Sequence, residues 1–495
     1  MNLSQLLAPL SDAKRIGSND PDIVGLSYDS RKVEAGHAFF AVPGEAVDGR
    51  KFCEAAIGLG ASAIIAESPP VTDIERSVTW WVVPSVRIAM AEAASLFYQQ
   101  PSYEMKVAGV TGTNGKTTTA FLIHHLISHS AGRCGLFGTI KYDTGMGGEP
   151  AERTTPEAID LQRLMDEARG YDCPAVVMEV SSHALIQQRV RAVKFAAAVF
   201  TNLSQDHLDY HGSMEGYFTA KRILFNQAVA MKGAAIINID DTFGKRLVAM
   251  FQDKLEVVTF GLNAAANFRA SSARTTKTGT VYQLYAGERS FLVEMPLFGT
   301  FNVSNSLAAL ATVATLGFNL REAVNALREA PQVPGRLELV QERRPFRVFV
   351  DYAHTPDALI NVLKTVRQMS PRRVITVFGC GGDRDREKRP LMARAVDSLS
   401  DVCVVTSDNP RTEDPEQILA DVRAGLTKDH LAIVDRREAI NAAINLADEG
   451  DIVLIAGKGH ETYQQFATET LPFDDRRVAA SAMREWSNNR PGGVN

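Results

Sequence analysis

The stretch that decides the fold is VAGVTGTNGKTTTAFLIHHLI, residues 107–127. An apolar run leads into a glycine-containing loop, and a helical pattern follows the loop. This order predicts a buried strand, a phosphate-binding loop and a helix whose N-terminus favours negative charge. Glycines in such a loop let backbone N–H groups close around phosphate oxygens. The loop comprises Gly112, Thr113, Asn114, Gly115, Lys116, Thr117 and Thr118.

Two side chains of this loop carry the chemistry of a nucleotide site. We expect Lys116 to reach the outer phosphates and the Thr117 hydroxyl to coordinate Mg²⁺. The match to G-x-x-x-x-G-K-[ST] is imperfect, because Val110 occupies the first glycine position. A glycine-rich turn without a ligand is the alternative. The motif predicts nucleotide binding, but motors, kinases, switches and ligases all use it.

On either side of the loop, short apolar runs alternate with longer amphipathic stretches, as in AVVMEV (175–180), RVITVFG (373–379) and DIVLIAG (451–457). This alternation is typical of buried parallel strands in α/β units. Proline and glycine near residues 101 and 335 predict three domains, at 1–104, 105–335 and 336–495. The predicted fold class is α/β, with a small N-terminal α/β domain and a central P-loop ATPase-like parallel sheet. Added antiparallel strands near 255–300 and a Rossmann-like C-terminal domain complete it.

Composition limits the partners and the location. The 495 residues are 45% hydrophobic and 22% charged, with a formal net charge of -5, so neither nucleic acid nor an anionic membrane is the expected partner. No run of about 18 apolar residues predicts a membrane span, and the N-terminus lacks the pattern of a signal peptide. The five scattered cysteines form no C-x-x-C pair. We therefore expect reduced thiols, no zinc site and a cytoplasmic protein.

Acids and histidines follow two further predicted strands. Glu179 ends one strand, with residues 181–183 on the following loop, and His207 follows another strand beside Asp206. Ligands bind in α/β sheets at the carboxyl ends of the strands. Glu179 and His207 are therefore candidate ligands of a divalent metal near the phosphates. For His207 the alternative is a structural histidine.

The predicted helix MEGYFTAKRILFNQ (214–227) places Tyr217, Lys221 and Phe225 on one face. A lysine between aromatic residues usually extends to water. Burial would instead depress its pKa and leave a neutral amine that can form a carbamate with CO₂. A carbamate is an anion able to hold a second Mg²⁺. The sequence leaves both possibilities open.

Taken together, these motifs resemble the Mur ligase family, the amide-forming enzymes of peptidoglycan precursor synthesis. The matching segments occur in order and span nearly all of residues 105–465. They are TGTNGKTT (111–118), EVSSH (179–183), S-x-D-H-L-D-Y-H (204–211), Y-x-x-A-K (217–221), FNVSN (301–305), PGRLE (334–338), DYAHTPD (351–357) and GCGGDRDREKRP (379–390).

Three shorter segments narrow the resemblance within the family: YDSR (28–31), DNPR (408–411) and GKGHE (457–461). They imply an ATP-dependent ligase that adds meso-2,6-diaminopimelate to the D-glutamate of UDP-N-acetylmuramoyl-L-alanyl-D-glutamate. The reaction implied passes through an acyl phosphate. The implied cofactors are ATP and Mg²⁺, and the implied catalytic residues are Lys116, Glu179, His207 and Lys221.

The resemblance also implies binding positions. Those for the metal are Thr117, Glu179, His207 and Lys221, the last as N6-carboxylysine. Those for ATP include, besides the loop, Asn302, Arg336, Asp351 and His354. Those for the UDP-muramyl dipeptide are Tyr28, Ser30, Thr154, Thr155, Ser181, Gln187 and Arg189. Those for diaminopimelate are Arg384, Asp408, Asn409, Pro410, Arg411, Gly457 and Glu461.

Residues 45–47 and residue 153 depart from the family pattern. Residues 45–47 read Glu-Ala-Val where a more polar set is usual, which leaves the uridine contacts there unassigned, and Arg153 stands where asparagine is expected. Three alternatives remain: a folylpolyglutamate synthase, a nucleotide-driven switch or motor, and an inactive scaffold. DNPR and the muramyl-site threonines disfavour the first, and the presence of Lys116, Glu179 and Lys221 disfavours the last. A monomer is expected.

Overall fold

The computed structural model describes residues 1–10, 12–44 and 47–486, so Glu45 and Ala46 lie outside the described residues. The chain divides into two compact units. The first contains Met1–Ala270, Leu284–Phe291 and Ser304–Ala326. The second contains Ser271–Gln283, Leu292–Val303 and Leu327–Asn495. The predicted boundaries of three domains stay a prediction.

The first unit begins with a five-stranded sheet in the order β1-β5-β4-β3-β2, in which β2 to β5 are parallel and β1 is antiparallel. Its strands are β1 Lys14–Ile16, β2 Gly25–Ser27, β3 His37–Phe40, β4 Ala63–Ala66 and β5 Thr79–Val82. Its helices are α1 Leu3–Leu6, α2 Cys53–Gly58 and α3 Val86–Phe97. Alternate strand residues enter apolar clusters on the two faces of the sheet.

A larger sheet follows, in which the order β13-β12-β11-β6-β10-β7 is parallel and β8 and β9 are antiparallel. Strand β6, which carries the phosphate loop, lies between β11 and β10. The strands are β6 Lys106–Thr111, β7 Gly135–Phe137, β8 Lys141–Asp143, β9 Gly148–Pro150, β10 Ala175–Glu179, β11 Phe195–Phe200, β12 Ala234–Asn238 and β13 Glu256–Gly261. The strands β6, β7, β10, β11 and β12 are covered on both faces, which explains their continuous apolar sequences, whereas β13 is partly exposed.

Helices cover this sheet and provide the ends on which the site is built. They are α4 Lys116–Ala131, α5 Ala158–Gly170, α6 Ser182–Ile186, α7 Leu208–His211, α8 Met214–Ala230, α9 Thr242–Phe251, α10 Thr300–Thr315 and α11 Leu320–Ala326. The predicted added strands are β14 Phe268–Thr275, β15 Thr280–Ala286 and β16 Arg289–Met295. β14 joins β13 in parallel over two residue pairs.

The second unit contains a sheet in the order β17-β18-β22-β19-β20-β21, parallel except for β17, which confirms the Rossmann-like prediction. Its strands are β17 Glu338–Leu339, β18 Arg347–Asp351, β19 Val374–Phe378, β20 Val402–Val405, β21 His430–Ala432 and β22 Ile452–Ala456, followed by the antiparallel pair β23 Tyr463–Gln465 and β24 Thr470–Pro472. Its helices are α12 Pro356–Gln368, α13 Lys388–Leu399, α14 Pro415–Arg423, α15 Arg436–Leu446 and α16 Asp475–Glu485.

Short 3₁₀ turns complete the described secondary structure. They lie at Ser30–Lys32, Gly49–Phe52, Glu75–Ser77, Pro101–Tyr103 and Leu327–Glu329. Over the described part of the chain, every helix is too short or too polar to traverse a lipid bilayer.

Candidate active site

The phosphate loop connects β6 to α4 as predicted, and its two glycines have conformations that other residues rarely adopt. Gly112 has φ 151° and Gly115 has φ 84°. A Cβ on Gly112 would lie 1.9 Å from Oγ1 of Thr201, so both the backbone angle and the close approach require glycine. Nζ of Lys116 donates to the carbonyl oxygens of Gly112 at 3.0 Å and Thr113 at 2.9 Å. The Lys116 side chain therefore folds back over the loop, with its ammonium group against the loop carbonyls.

The residues after β11 hold the phosphate loop from the other side. Asn202 accepts from the Asn114 amide through Oδ1 at 2.9 Å, and Thr201 donates to the Asn114 carbonyl at 2.7 Å. Oγ1 of Thr113 donates to the Ser204 carbonyl at 3.2 Å. These contacts connect the loop to the segment that follows β11. Thr201 and Asn202 were not among the predicted site residues, although both follow a predicted strand at the edge where ligands bind.

Glu179 ends β10 and is almost completely buried beside the loop. Its Oε2 accepts from Oγ1 of Thr117 at 2.9 Å and from Oγ1 of Thr139 at 3.1 Å. Its Oε1 accepts from the backbone N–H of Thr139 at 2.8 Å. A carboxylate and a hydroxyl in contact are hard oxygen donors of the kind Mg²⁺ prefers. The donor chemistry of Thr117 and Glu179 thus fits the predicted metal.

His207 follows β11 in the left-handed conformation, with φ 51°, immediately before α7. Its Nε2 lies 3.5 Å from Oδ2 of Asp206. Burial lowers the pKa of His207, and the ammonium groups of Lys116 and Lys221 lower it further, while Asp206 raises it. A lowered pKa favours the neutral imidazole, which is the form that binds a metal. Within the described ranges, no three His, Cys, Asp or Glu side chains cluster as a metal site.

Lys221 lies on α8 and is buried, so it does not extend to water. Its Nζ donates to the Gly112 carbonyl at 2.8 Å and lies 4.4 Å from the centre of the Tyr217 ring. Burial lowers the pKa of Lys221 well below its usual value, and the nearby Lys116 ammonium lowers it further. The structure therefore provides the condition for a neutral amine at this position.

The predicted muramyl-site threonines lie beside Glu179. Oγ1 of Thr155 donates to the Glu179 carbonyl at 2.9 Å and accepts from the Ser181 amide at 3.1 Å. Oγ1 of Thr154 is 3.1 Å from Oγ1 of Thr139. Nη1 of Arg189 donates to the Thr155 carbonyl at 3.0 Å. These residues form one continuous hydrogen-bonded network, largely buried, that reaches the phosphate loop through Glu179 and Thr117.

Further polar contacts surround this network. Nη2 of Arg189 donates to Oε1 of Gln187 at 2.6 Å and pairs with Oε1 of Glu157 at 2.9 Å. The same Glu157 oxygen lies 3.2 Å from Nη1 of Arg153, the position that departs from the family pattern. Tyr28 donates to Oδ2 of Asp160 on α5 at 2.6 Å. Arg153 thus shares a counterion with a predicted substrate residue.

One local prediction was wrong and one residue remains apart. Residues 182 and 183 lie in the first turn of α6 rather than on a loop, because Oγ of Ser181 caps that helix through the Ala184 amide at 3.1 Å. Ser30 begins a 3₁₀ turn capped by Asp29, and the structure records no hydrogen bond that joins its hydroxyl to the other described muramyl-site residues.

In the second unit, three of the four further positions predicted to bind the nucleotide lie together near the end of β18. Asp351 accepts from the amides of Leu337 at 2.7 Å and Ala353 at 2.8 Å. Burial raises the pKa of Asp351, and the Arg336 guanidinium opposes that rise. Arg336 stacks 4.8 Å from the centre of the Tyr352 ring, and Nδ1 of His354 is 2.7 Å from the Tyr352 carbonyl. The fourth, Asn302, is buried and donates to the Phe298 carbonyl at 2.8 Å.

The predicted diaminopimelate residues follow β19, β20 and β22, whose carboxyl ends lie at one edge of the sheet. Nη1 of Arg411 donates to the Gly382 carbonyl at 2.6 Å, and Arg411 has φ 52°. Nδ2 of Asn409 donates to Oε2 of Glu461 at 2.9 Å. A Cβ on Gly457 would lie 2.6 Å from Oδ2 of Asp408, so this approach requires glycine. Pro410 precedes Arg411, and Arg384 is exposed nearby, donating to the Asp383 carbonyl at 3.3 Å.

Comparison with known proteins supplies the family. The Mur ligase middle domain matches residues 110–313. The Mur ligase glutamate ligase domain matches residues 335–459, and the domain described as Mur ligase family, catalytic domain, matches residues 22–98.

Several relatives and solved structures are similar over the whole chain. A UDP-N-acetylmuramoyl-L-alanyl-D-glutamate–2,6-diaminopimelate ligase of Geobacillus kaustophilus (strain HTA426) is 45% identical, over 98% of this chain and 100% of its own. The enzyme of the same name from Geobacillus thermodenitrificans (strain NG80-2) is 46% identical over the same shares. A solved structure of such a ligase is 38% identical, covers 98% of this chain and 99% of its own, and superposes with a TM-score of 0.71.

A folylpolyglutamate synthase of Mycobacterium tuberculosis, 18% identical with a TM-score of 0.62, covers 82% of this chain and 96% of its own and shares the fold alone. The family models and the full-length relatives together support one conclusion. The chain belongs to the Mur ligase family.

Proposed function

We propose that the chain is an ATP-dependent amide ligase that adds meso-2,6-diaminopimelate to the D-glutamate of UDP-N-acetylmuramoyl-L-alanyl-D-glutamate, in peptidoglycan synthesis. The observation that carries the proposal is the continuous hydrogen-bonded network that runs from the phosphate loop through Glu179 to Thr155 and Arg189. Such a network suits a site that holds a nucleotide phosphate next to a bound carboxylate. The names of the relatives at 45% and 46% identity supply the substrates.

The reaction needs two steps, because a carboxylate is a poor acyl electrophile. First, a γ-carboxylate oxygen of D-glutamate bonds to the γ-phosphorus of ATP, and the bond from that phosphorus to the β-γ bridging oxygen breaks, which releases ADP. The amine of diaminopimelate then attacks the acyl carbon, the bond to the phosphate oxygen breaks, and the nitrogen loses a proton. In this proposal Lys116, whose Nζ donates to two loop carbonyls, neutralises the transferring phosphoryl group.

Four residues are suited to hold Mg²⁺ in this site: Thr117, Glu179, His207 and Lys221 as its carbamate. The metal would supply positive charge to the phosphate oxygens when bound. The hydroxyl–carboxylate contact and the lowered pKa of His207 support this assignment.

The proposed modification of Lys221 follows from its burial. Its pKa is lowered, so the neutral amine can attack CO₂ and release a proton to give a carbamate. A carbamate also removes the positive charge that lies beside Lys116. Lys221 therefore acts as an anionic group in this proposal.

Recognition of the amino acid rests on the second unit. Diaminopimelate carries a carboxylate and an ammonium at its far end, whereas L-lysine carries the ammonium alone. Arg411 and Arg384 supply guanidinium groups for a carboxylate, and Glu461 supplies an acceptor for an ammonium. We assign Asn302, Arg336, Asp351 and His354 to the nucleotide and Tyr28, Ser30, Gln187 and Arg189 to the muramyl dipeptide. The enzyme is expected to act as a cytoplasmic monomer.

ADP release distinguishes this proposal from the alternatives. A ligase sustains ADP release over many turnovers only when ATP, the UDP-muramyl dipeptide and diaminopimelate are all present, because the acyl phosphate formed in the first step is consumed by the amine. Sustained release without an amino acid would indicate a switch or motor, and sustained release that requires a folate and glutamate would indicate a folylpolyglutamate synthase. Either result would overturn the proposed function.

A further inference from the structure

Lys458 follows β22 and contacts two residues of the proposed amino-acid site. Its side chain is completely buried. Its Nζ donates to Oδ1 of Asn409 at 2.8 Å and to Oε2 of Glu461 at 3.1 Å. Asn409 donates through Nδ2 to the same Glu461 oxygen at 2.9 Å. Three side chains from two loops therefore form one closed hydrogen-bonded ring.

The ring connects two loops that are distant in the sequence. Oδ1 of Asn409 also accepts from the Gln465 amide at 3.0 Å, and Nε2 of Gln464 donates to the Asp408 carbonyl at 2.8 Å. The amide of Glu461 donates to the Lys458 carbonyl at 2.9 Å, which closes a turn over residues 458–461. The positions of Asn409 and Glu461 are thus set by their shared contact with Lys458.

The distribution of bonds on Glu461 is uneven. Both ring bonds fall on Oε2, whereas Oε1 makes no hydrogen bond to any residue that the structure describes. The Glu461 side chain keeps 18% of its surface exposed, while that of Lys458 keeps none. A carboxylate accepts bonds on both oxygens. Lys458 therefore fixes one oxygen and leaves the other for a donor that comes from outside the protein.

A buried ammonium contributes little to the free energy of unfolding. Desolvation of the charge offsets much of the attraction to its partner, and an apolar residue of similar volume is often as stable. The ring instead keeps a negative group oriented at the edge of the proposed amino-acid site. That orientation is the property a selective site needs.

We propose that Lys458 is a positioning residue that holds Glu461 so that its Oε1 receives the far ammonium of the incoming diamino acid. This inference rests on the proposed function and deepens it. Lys458 touches only protein groups, while Glu461 touches the ligand and Arg411 takes the far carboxylate. Lys458 thereby sets the preference for an amino acid that carries an ammonium at its far end.

Two amino acids separate this role from a general structural one. L-2-Aminopimelate retains the reacting amine and the far carboxylate of meso-diaminopimelate but lacks the far ammonium. In Lys458→Met we expect the KM for diaminopimelate to rise by about 30-fold or more, because Glu461 loses its orientation. The KM for L-2-aminopimelate should change little, so the preference between the two substrates collapses. The KM values for ATP and the UDP-muramyl dipeptide should also stay unchanged.

A matched control is Lys428→Met in the same unit. Lys428 donates to the carbonyls of Asp397 and Ser400, the latter at 3.0 Å, and has no link to the ring. This variant should keep the wild-type preference. A thermal unfolding measurement shows whether Lys458→Met folds. If it does not, the KM values of Lys458→Gln, which keeps a hydrogen-bond donor, are measured instead, and this variant should show a smaller loss of preference.

The outcomes are distinguishable. An equal loss for both amino acids, or an unchanged preference in Lys458→Met, would overturn the positioning role while the proposed function stands. A wild-type enzyme that ligates neither amino acid would overturn the proposed function, and this inference with it. Loss of the preference in the Lys458 variant alone supports the inference.

Discussion

Replacement of Arg411 by alanine tests amino-acid selection through a single side chain. Nη1 of Arg411 is bonded to the Gly382 carbonyl at 2.6 Å, whereas Nε and Nη2 have no hydrogen-bond partner among the described residues. The remaining edge of the guanidinium can therefore grip a carboxylate through two parallel bonds. Its φ of 52° places a non-glycine residue in a rarely adopted conformation, which is common at functional sites.

The expected effect is large for one substrate and small for the others. Loss of one partner of a desolvated charge pair costs about 2–5 kcal/mol, or about 30- to 5,000-fold in binding. Loss of the bond to Gly382 should reduce the free energy of unfolding by only about 0.5–1.5 kcal/mol. Arg411→Ala should therefore raise the KM for diaminopimelate at least about 30-fold, with the KM values for ATP and the UDP-muramyl dipeptide nearly unchanged.

Steady-state ADP release, with each substrate varied in turn, measures these constants. Arg411→Lys keeps the charge but not the two parallel bonds, so its effect should be intermediate. Wild-type enzyme should strongly prefer diaminopimelate to L-lysine. Arg411→Ala should reduce that preference, because L-lysine lacks the far carboxylate that Arg411 is expected to bind and so is little affected by the loss of the guanidinium. An unchanged KM and rate for diaminopimelate in Arg411→Ala would refute the assignment.

Three further predictions concern buried charges. Lys221→Ala should abolish most ligase activity, and acetate should restore part of it as a substitute carboxylate. Full activity without acetate would contradict the proposed carbamate on Lys221. The Arg50 guanidinium, 2.8 Å from Oε2 of Glu75, lowers the pKa of that carboxyl from 4.5 to about 2. Because the folded-state pKa is the lower one, the pair stabilises the fold above pH 4.5 and loses that effect as the pH falls towards 2. Glu75→Gln should thus reduce the free energy of unfolding by about 1–3 kcal/mol at pH 7. It should also make that free energy depend less on pH between 5 and 2. Urea unfolding followed by tryptophan fluorescence measures both effects, and an unaltered pH profile would contradict the prediction. In the wild type the buried Arg436 guanidinium lies 2.7 Å from the Asp475 carboxylate, and Asp475→Asn removes this counterion. The free energy of unfolding in the same assay should fall by about 3–5 kcal/mol. A fall of less than about 1 kcal/mol would be evidence against a desolvated ion pair.

The fold around the phosphate loop was predictable from local pattern. A buried strand, a glycine pair and a helical run each have one strong interpretation, and the structure places β6, the loop and α4 as expected. Glu179 was predictable for the same reason, because it ends an apolar run. The helix that carries Lys221 was also predicted, but the burial of the Lys221 side chain was not. That burial comes with contacts to residues distant in the sequence, such as the bond to the Gly112 carbonyl 109 positions away.

The missed features depend on contacts that leave no local pattern. Thr139 supports Glu179 from a short connection between β7 and β8, without any motif of its own. Helix α6 has only five residues, too few for a periodic signal, and its start is decided by the cap at Ser181. Lys458 meets Asn409 across 49 positions, so a buried lysine there has the same sequence appearance as an exposed one.

The most direct measurement of the central claim is the mass of the product formed from ATP, the UDP-muramyl dipeptide and an equimolar mixture of amino acids. The mixture contains meso-diaminopimelate, L-lysine and L-glutamate, and the products are separated and identified by mass spectrometry. We predict one dominant product, in which diaminopimelate has been joined with loss of water. A product that carries L-lysine or L-glutamate instead, or consumption of ATP with no new amide, would contradict the account.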